Sequence, residues 1–113
     1  MLHQMRLQSG PFEKIRSGEK TLELRVYDEK RRKIELGDEI EFSRMDNPGD
    51  KVLVQVIGLL RYQNFADLIT DLPAGYLGYK ESEKDYLKKS MYEVYTPEEE
   101  SQSGVVGIRI KLI

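Results

Sequence analysis

Lys20, Glu23 and Arg25 are the residues of this chain best spaced for chemistry. They fall in Gly18-Glu19-Lys20-Thr21-Leu22-Glu23-Leu24-Arg25. Leu22, Leu24 and Val26 alternate there with Thr21, Glu23 and Arg25, which predicts a strand. Side chains two apart on a strand share a face, so Glu23 and Arg25 can form an ion pair or meet one ligand together. Lys20 stands at the start of the strand, where backbone curvature brings it beside them. Two cations and one carboxylate could grip a phosphate or the edge of a base. A lysine serves as base or nucleophile only where burial or a neighbouring cation lowers its pKa. Arg25 could supply that cation, whereas Glu23 acts the other way and keeps Lys20 charged. The plain structural alternative is a surface salt bridge on a half-exposed sheet, worth about 0 to 1 kcal/mol.

Other chemistry-bearing residues are sparser. Lys30, Arg31, Arg32 and Lys33 form a basic run, which reads either as a solvated loop or as a phosphate-contacting face. Tyr76 and Tyr79 flank Gly78 in a loop and are candidates for stacking on a base, a contact worth roughly 1 to 3 kcal/mol. Tyr92 and Tyr95 lie at helical spacing and read as packing residues, and Phe65 as core. His3 is the single histidine and reads as incidental; one histidine excludes a multi-histidine metal site. The carboxylates show no ligand spacing, the nine glycines make no phosphate-binding fingerprint, and no GxSxG elbow is present. Neither a metal nor a cofactor is expected.

The elements that must position these residues can be read along the chain. His3 to Leu7 reads as an opening strand. Ser9-Gly10-Pro11 starts a short helix with Phe12 and Ile15 on one face, and Gly18 is placed to end it in a left-handed cap. Strands are predicted at Thr21–Tyr27, Glu39–Ser43, Lys51–Tyr62 and Val105–Ile113, with turns at Gly37-Asp38 and Asn47-Pro48-Gly49-Asp50. Lys51–Tyr62 is apolar on both faces near Val52 to Ile57, which predicts a central strand covered on both sides. Asn64 caps a helix through Phe65, Leu68 and Ile69. Ser82 caps another with Leu87, Met91, Val94 and Tyr95 on one face, and Pro97 marks its end. Strands at both ends with helices inserted predict an α+β fold, a small mixed β-barrel with two or three covering helices.

The 113 residues fit one domain, 1–113. At this size roughly two-thirds of the unfolded surface can be buried, enough for a core without staples. Cysteine is absent, which removes disulfides, thiolate zinc sites and a cysteine nucleophile together. No signal-peptide run opens the chain and no apolar stretch is long enough for a membrane span, so a cytoplasmic location is expected. With 18 basic against 20 acidic side chains the net charge is −2, so any affinity for nucleic acid must come from a local basic face.

Gly18-x-Lys20-x-x-Glu23-x-Arg25, then Tyr27-Asp28, Arg31-Arg32 and Gly37-Asp38 before Ile40 and Phe42, resembles the ASCH domain pattern of the PUA-like superfamily. The likeness runs from Phe12 to Phe42, and the remainder agrees in architecture. The resemblance implies a pseudo-barrel with a cleft beside the first helix, lined by Lys20, Glu23 and Arg25. It implies binding of RNA or a nucleotide-like ligand. On the residues themselves, Arg31 and Arg32 are then expected on phosphates and Tyr79 as a stacking face, with duplex DNA and membranes not expected as partners. One branch of the family comprises amidohydrolases that remove the acetyl group from acetylcytidine. Their catalytic set resembles a motif lysine and threonine with a later glutamate. Lys20 matches the lysine, Glu23 stands where the threonine would be, and Glu81 and Glu83 are the nearby candidates for the glutamate. As an enzyme the chain would thus rely on Lys20 and Glu23. The expected geometry places Glu23 and Arg25 on the polar side of their strand, beside Lys20, so that Arg25→Ala harms binding more than folding.

Overall fold

The alternation at Leu22–Val26 folds as a strand whose two faces are both covered, and the rest of the architecture explains why. The computed structural model describes residues 1–113. In chain order it runs β1 (Leu2–Leu7), α1 (Ser9–Arg16), β2 (Leu22–Val26), α2 (Glu29–Arg32), β3 (Glu39–Arg44) and β4 (Lys51–Tyr62). Then come α3 (Phe65–Asp71), 3-10 turns at Ala74–Leu77 and Glu81–Glu83, α4 (Lys84–Met91), α5 (Pro97–Ser103) and β5 (Val105–Leu112). One mixed sheet holds all five strands in the order β1-β3-β4-β5-β2. Only β1 and β3 run parallel; the other pairs are antiparallel. The sheet curls into a half-barrel, which leaves β1 and β2 as its two edges.

Its concave side holds Met5, Leu7, Ile40, Phe42, Val54, Val56, Ile108 and Ile110, closed by Phe12 and Ile15 of α1. Its convex side is covered only near β2 and β5, where Leu22, Leu24, Val26 and Val105 meet Phe65, Leu68 and Ile69 of α3, Leu77, and Leu87 of α4. The helical cover stops there. Leu53 and Ile57 of β4 remain 37% and 48% exposed, so β4 is central in the pairing order but open on one face for part of its length. A bulge between Val56 and Gly58 reverses which residues point inward, so Leu59 continues the concave core after Val56. Gly58 is required at that bulge: a Cβ there would lie 2.9 Å from Cγ of Arg109.

Local chemistry explains most of the element ends. Gly18 follows α1 with φ of 85°, a conformation that glycine adopts without a Cβ penalty. Asn64 caps α3 by accepting from the backbone N–H of Asp67 at 2.7 Å. The segment after Met91 departs from the sequence expectation. Residues 82–83 belong to a 3-10 turn, α4 stops at Met91, and Val94 is exposed. Pro97 begins a helix rather than ending one. Thr96 accepts from the N–H of Glu99 while the Glu99 carboxylate accepts from the N–H of Thr96, a reciprocal cap that starts α5. Glu100 is buried; its carboxylate accepts from the Phe65 N–H at 2.8 Å and the Tyr92 hydroxyl at 3.0 Å, which ties α5 to the start of α3. No helix is long and apolar enough to cross a membrane.

Candidate functional site

Pairing fixes where the motif residues point. Glu23 lies opposite Ile108 and Arg25 opposite Val106, residues of the concave core, so both face the inside of the half-barrel. Glu23 is only 3% exposed. This burial does not fit the plain alternative of a surface salt bridge on a half-exposed sheet. Leu22 and Leu24 face outward but lie under α3 and α4, so β2 has no solvent face.

A buried carboxylate is costly unless it is paired and hydrogen-bonded. Here both oxygens are engaged: Lys20 Nζ donates to Oε1 and Arg25 Nε donates to Oε2, each at 2.8 Å. The Lys20 and Arg25 side chains keep 12% and 13% exposure, so the pair of cations forms the outer layer and the carboxylate the inner one. Burial pushes the Glu23 carboxyl up, but the charges of Lys20 and Arg25 and their hydrogen bonds outweigh it and hold the group below its ordinary range. For Arg25, burial disfavours the charge and Glu23 restores it, with a net shift upward. Arg25 Nη2 also donates to the backbone carbonyl of Arg6 at 3.0 Å.

Lys20 is held in place by α1 and by the turn before Gly78. Its own N–H donates to the carbonyl of Lys14, and the N–H of Thr21 donates to the carbonyl of Tyr76. Tyr95 is the residue that the sequence reading placed only as packing. It stacks on Phe65 at 5.3 Å between ring centroids, and its phenol lies in the fields of Arg25, Glu23, Arg31 and Asp28. Burial first, then Glu23 and Asp28, push its hydroxyl up against the opposing pull of Arg25 and Arg31. No local signal marks it, because it follows the helix end and reaches β2 from 70 residues away.

The other sequence candidates lie around this centre. Arg31 pairs with Asp28 at 3.1 Å, and Asp28 caps α2 by accepting from the Arg31 N–H. Arg32 lies over the Tyr27 ring at 4.6 Å and donates to the carbonyl of Ser103; Arg61 lies over the same ring, also at 4.6 Å. Tyr79 is engaged by Lys14, whose ammonium sits 4.1 Å from its ring centre, and it neighbours Tyr86. It also packs against the convex core near Leu77 and Leu87. Glu81 accepts from the Ala74 N–H and Glu83 from the Lys80 N–H, so both carboxylates serve turns and neither joins Lys20. Two hollows lie elsewhere. One of about 900 Å³ is bordered by Arg61, Asn64, Asp67, Glu100 and Ser103. Another, of about 450 Å³, is bordered by Arg6, Lys30, Glu41, Ser43 and Lys51. His3 is not incidental: its Nε2 bonds to Asp38 at 2.8 Å, beside the N-terminal ammonium at 3.2 Å.

Known proteins bear on this arrangement. The model of the ASCH domain matches residues 5–113. The crystal structure of hypothetical protein PH0355 is 35% identical with a TM-score of 0.86, covering 100% of both chains. The solution NMR structure of protein PF0455 from Pyrococcus furiosus is 30% identical with a TM-score of 0.72, covering 100% of this chain and 98% of that one. The crystal structure of ASCH from Zymomonas mobilis shares the fold at 12% identity, with a TM-score of 0.62 over 97% of this chain and 66% of that one. No curated protein matches the chain. A half-barrel that carries the glycine, lysine, glutamate and arginine of the motif at one seam, matched over nearly its whole length, places this chain in the ASCH domain family, with a PUA-like fold.

Proposed function

We propose that this protein binds RNA, or a modified nucleoside, at the seam between β1 and β2 through Lys20, Glu23 and Arg25. The observation that carries the reading is the local charge. Two cations share one buried carboxylate, which leaves one positive charge in excess at a site shielded from bulk water. Coulomb interactions act more strongly in such surroundings than in water, so an anionic or electron-rich ligand is favoured. Glu23 orients both cations and thereby fixes the positions of their remaining donors. Arg31 and Arg32 supply phosphate contacts farther along, and Tyr79 a stacking face. Single-stranded or looped RNA fits a small seam better than duplex DNA, because its bases can be splayed out of the helix.

Removal of the acetyl group from acetylcytidine is the less supported alternative. The Lys20 nitrogen donates to Glu23, the residue standing where that chemistry uses a threonine, and a donating ammonium offers no lone pair. The RNA reading is tested by fluorescence anisotropy with an eight-nucleotide RNA while salt is raised from about 50 to about 200 mM. A steep loss of affinity with salt, and weaker binding by Lys20→Ala, are expected. A flat salt dependence, or no binding at low salt, overturns it. Incubation with acetylcytidine and chromatographic detection of cytidine tests the alternative.

A further inference from the structure

The smaller hollow, of about 450 Å³, lies on the convex face of β1 and β3, outside the motif. Its make-up follows from strand register. Met5 and Phe42 point into the core, so their neighbours point outward. Arg6 lies opposite Ser43, and Ser43 opposite Lys51, so these three form a row across three strands. Gln4 and Glu41 form the parallel row beside it. Lys30 reaches over from α2, and its ammonium donates to the carbonyl of Gln4 at 3.1 Å.

The hollow therefore collects three cations against one carboxylate. Glu41 is shared between Lys51 at 3.5 Å and the amide of Gln4 at 3.3 Å. Arg6 and Lys30 have no carboxylate partner, so two positive charges stand in excess. The hollow is also linked to the motif. Along the free edge of β1, the Gln4 carbonyl accepts from Lys30 and the Arg6 carbonyl accepts from Arg25. Those carbonyls are two residues apart, about 7 Å along an extended strand. The hollow and the seam thus share one edge, with Lys30 as the common wall.

We infer that this hollow is a phosphate subsite for the RNA strand that enters the seam, with Arg6, Lys30 and Lys51 as its cations and the Ser43 hydroxyl as a donor. The inference rests on the RNA reading above. A nucleotide held at Arg25 carries its adjoining phosphodiester over the β1 edge to Lys30, and the next to Arg6 and Lys51. The lysines act as point charges, and the arginine offers a two-pronged contact to phosphate oxygens.

The double variant Arg6→Ala/Lys51→Ala tests this. Both side chains are exposed, and the Arg6 carbonyl that receives Arg25 is untouched, so its melting temperature should match that of the unaltered protein. In titrations with an eight-nucleotide RNA its affinity at low salt should fall several-fold. Its slope of log affinity against log salt should shrink by about 1.4, the loss of two phosphate contacts on a single strand. Unchanged affinity and slope, in a protein whose RNA binding still depends on Lys20, overturn the subsite and leave the seam standing. The second arm titrates the unaltered protein with pyrophosphate and follows amide chemical shifts. If RNA does not bind but pyrophosphate moves the amides of Arg6 and Ser43, the hollow stands as a phosphate site and the RNA reading falls. If neither ligand has an effect, both fall.

Discussion

The Arg25 guanidinium donates to the backbone carbonyl of Arg6, joining the two strands of the sheet that have a single neighbour each. The half-barrel is therefore closed at this point by a side chain and not by a backbone ladder. An unpaired strand edge invites pairing with another chain. Here the cations of Arg25 and Lys30 occupy two of the exposed carbonyls of β1. Arg25 thus has a structural task alongside the binding role proposed for it, so its loss is expected to cost stability as well as binding.

Arg25→Ala is expected to lower stability by about 1.5 to 3 kcal/mol, the range of a hydrogen bond to a charged group. Lys20 still neutralises Glu23 in that variant, which keeps the cost at this level. Arg25→Lys retains the charge but cannot reach both Glu23 and Arg6, so it should recover only part of the loss. Urea denaturation of the three proteins measures the series. Equal stability of Arg25→Ala and the unaltered protein would remove the seam-closing role.

Glu23→Gln should cost about 3 kcal/mol or more, because it leaves two mostly buried cations without their counter-charge. The pH dependence has a definite sign. The folded carboxyl titrates below its ordinary 4.5, so its contribution is present in full above that value and is lost as pH falls through the lower, folded one. Acid should therefore destabilise the unaltered protein more steeply than Glu23→Gln. Denaturation at about pH 7 and about pH 3 compares the slopes; parallel behaviour would show that Glu23 is not held as described.

Asp38 supplies a separate acid-sensitive contact at the start of the sheet. Bonds from His3 and from the Glu35 N–H, with the N-terminal ammonium, bring its carboxyl to about 2. Its stabilising effect should be complete above 3.8 and vanish as pH falls toward about 2. Asp38→Asn should remove this step while leaving that of Glu23. Amide exchange at β1, followed through the same pH range, distinguishes the two: exchange there should accelerate in Asp38→Asn at neutral pH.

Leu24→Ala probes the opposite face of the motif strand. Leu24 is buried among α3 and α4 side chains, so truncation should cost about 2 to 5 kcal/mol. Thermal melting reports the loss. A variant as stable as the parent would mean that the convex cover is not packed on β2.

The residues differ in how much they disclosed in advance. The period-two pattern of Leu22, Leu24 and Val26, the glycine at position 18 and the asparagine at position 64 act through neighbours only a few residues away, and the elements they announce are present. The burial of Glu23 is different in kind. Alternation separates two faces of a strand but does not say which will be covered, and Glu23 is turned inward by its pairing with Ile108 of β5 and lies near Tyr95, both remote in sequence. Leu53 and Ile57 illustrate the converse: apolar side chains on both faces read as two-sided burial, yet the helices cover only the β2 and β5 end. At Thr96-Pro97 the signal was local but ambiguous, since proline both follows helices and opens them; Glu99, three residues past Thr96, decides for an opening. The hollow at Arg6, Ser43 and Lys51 is a product of register across three strands, which no single segment encodes.

The pairing of β2 with β5 alone among the strands has a consequence for the order of events during synthesis. The motif strand emerges from the ribosome early, but its one ladder partner begins at Val105, some 80 residues later. Closing so long a loop costs entropy that no local contact at Leu22–Val26 offsets. Until β5 is available, Lys20, Glu23 and Arg25 stay on an unpaired segment, and the nascent chain has no assembled seam. The seam is therefore completed by the last strand made, although the residues that line it are among the first.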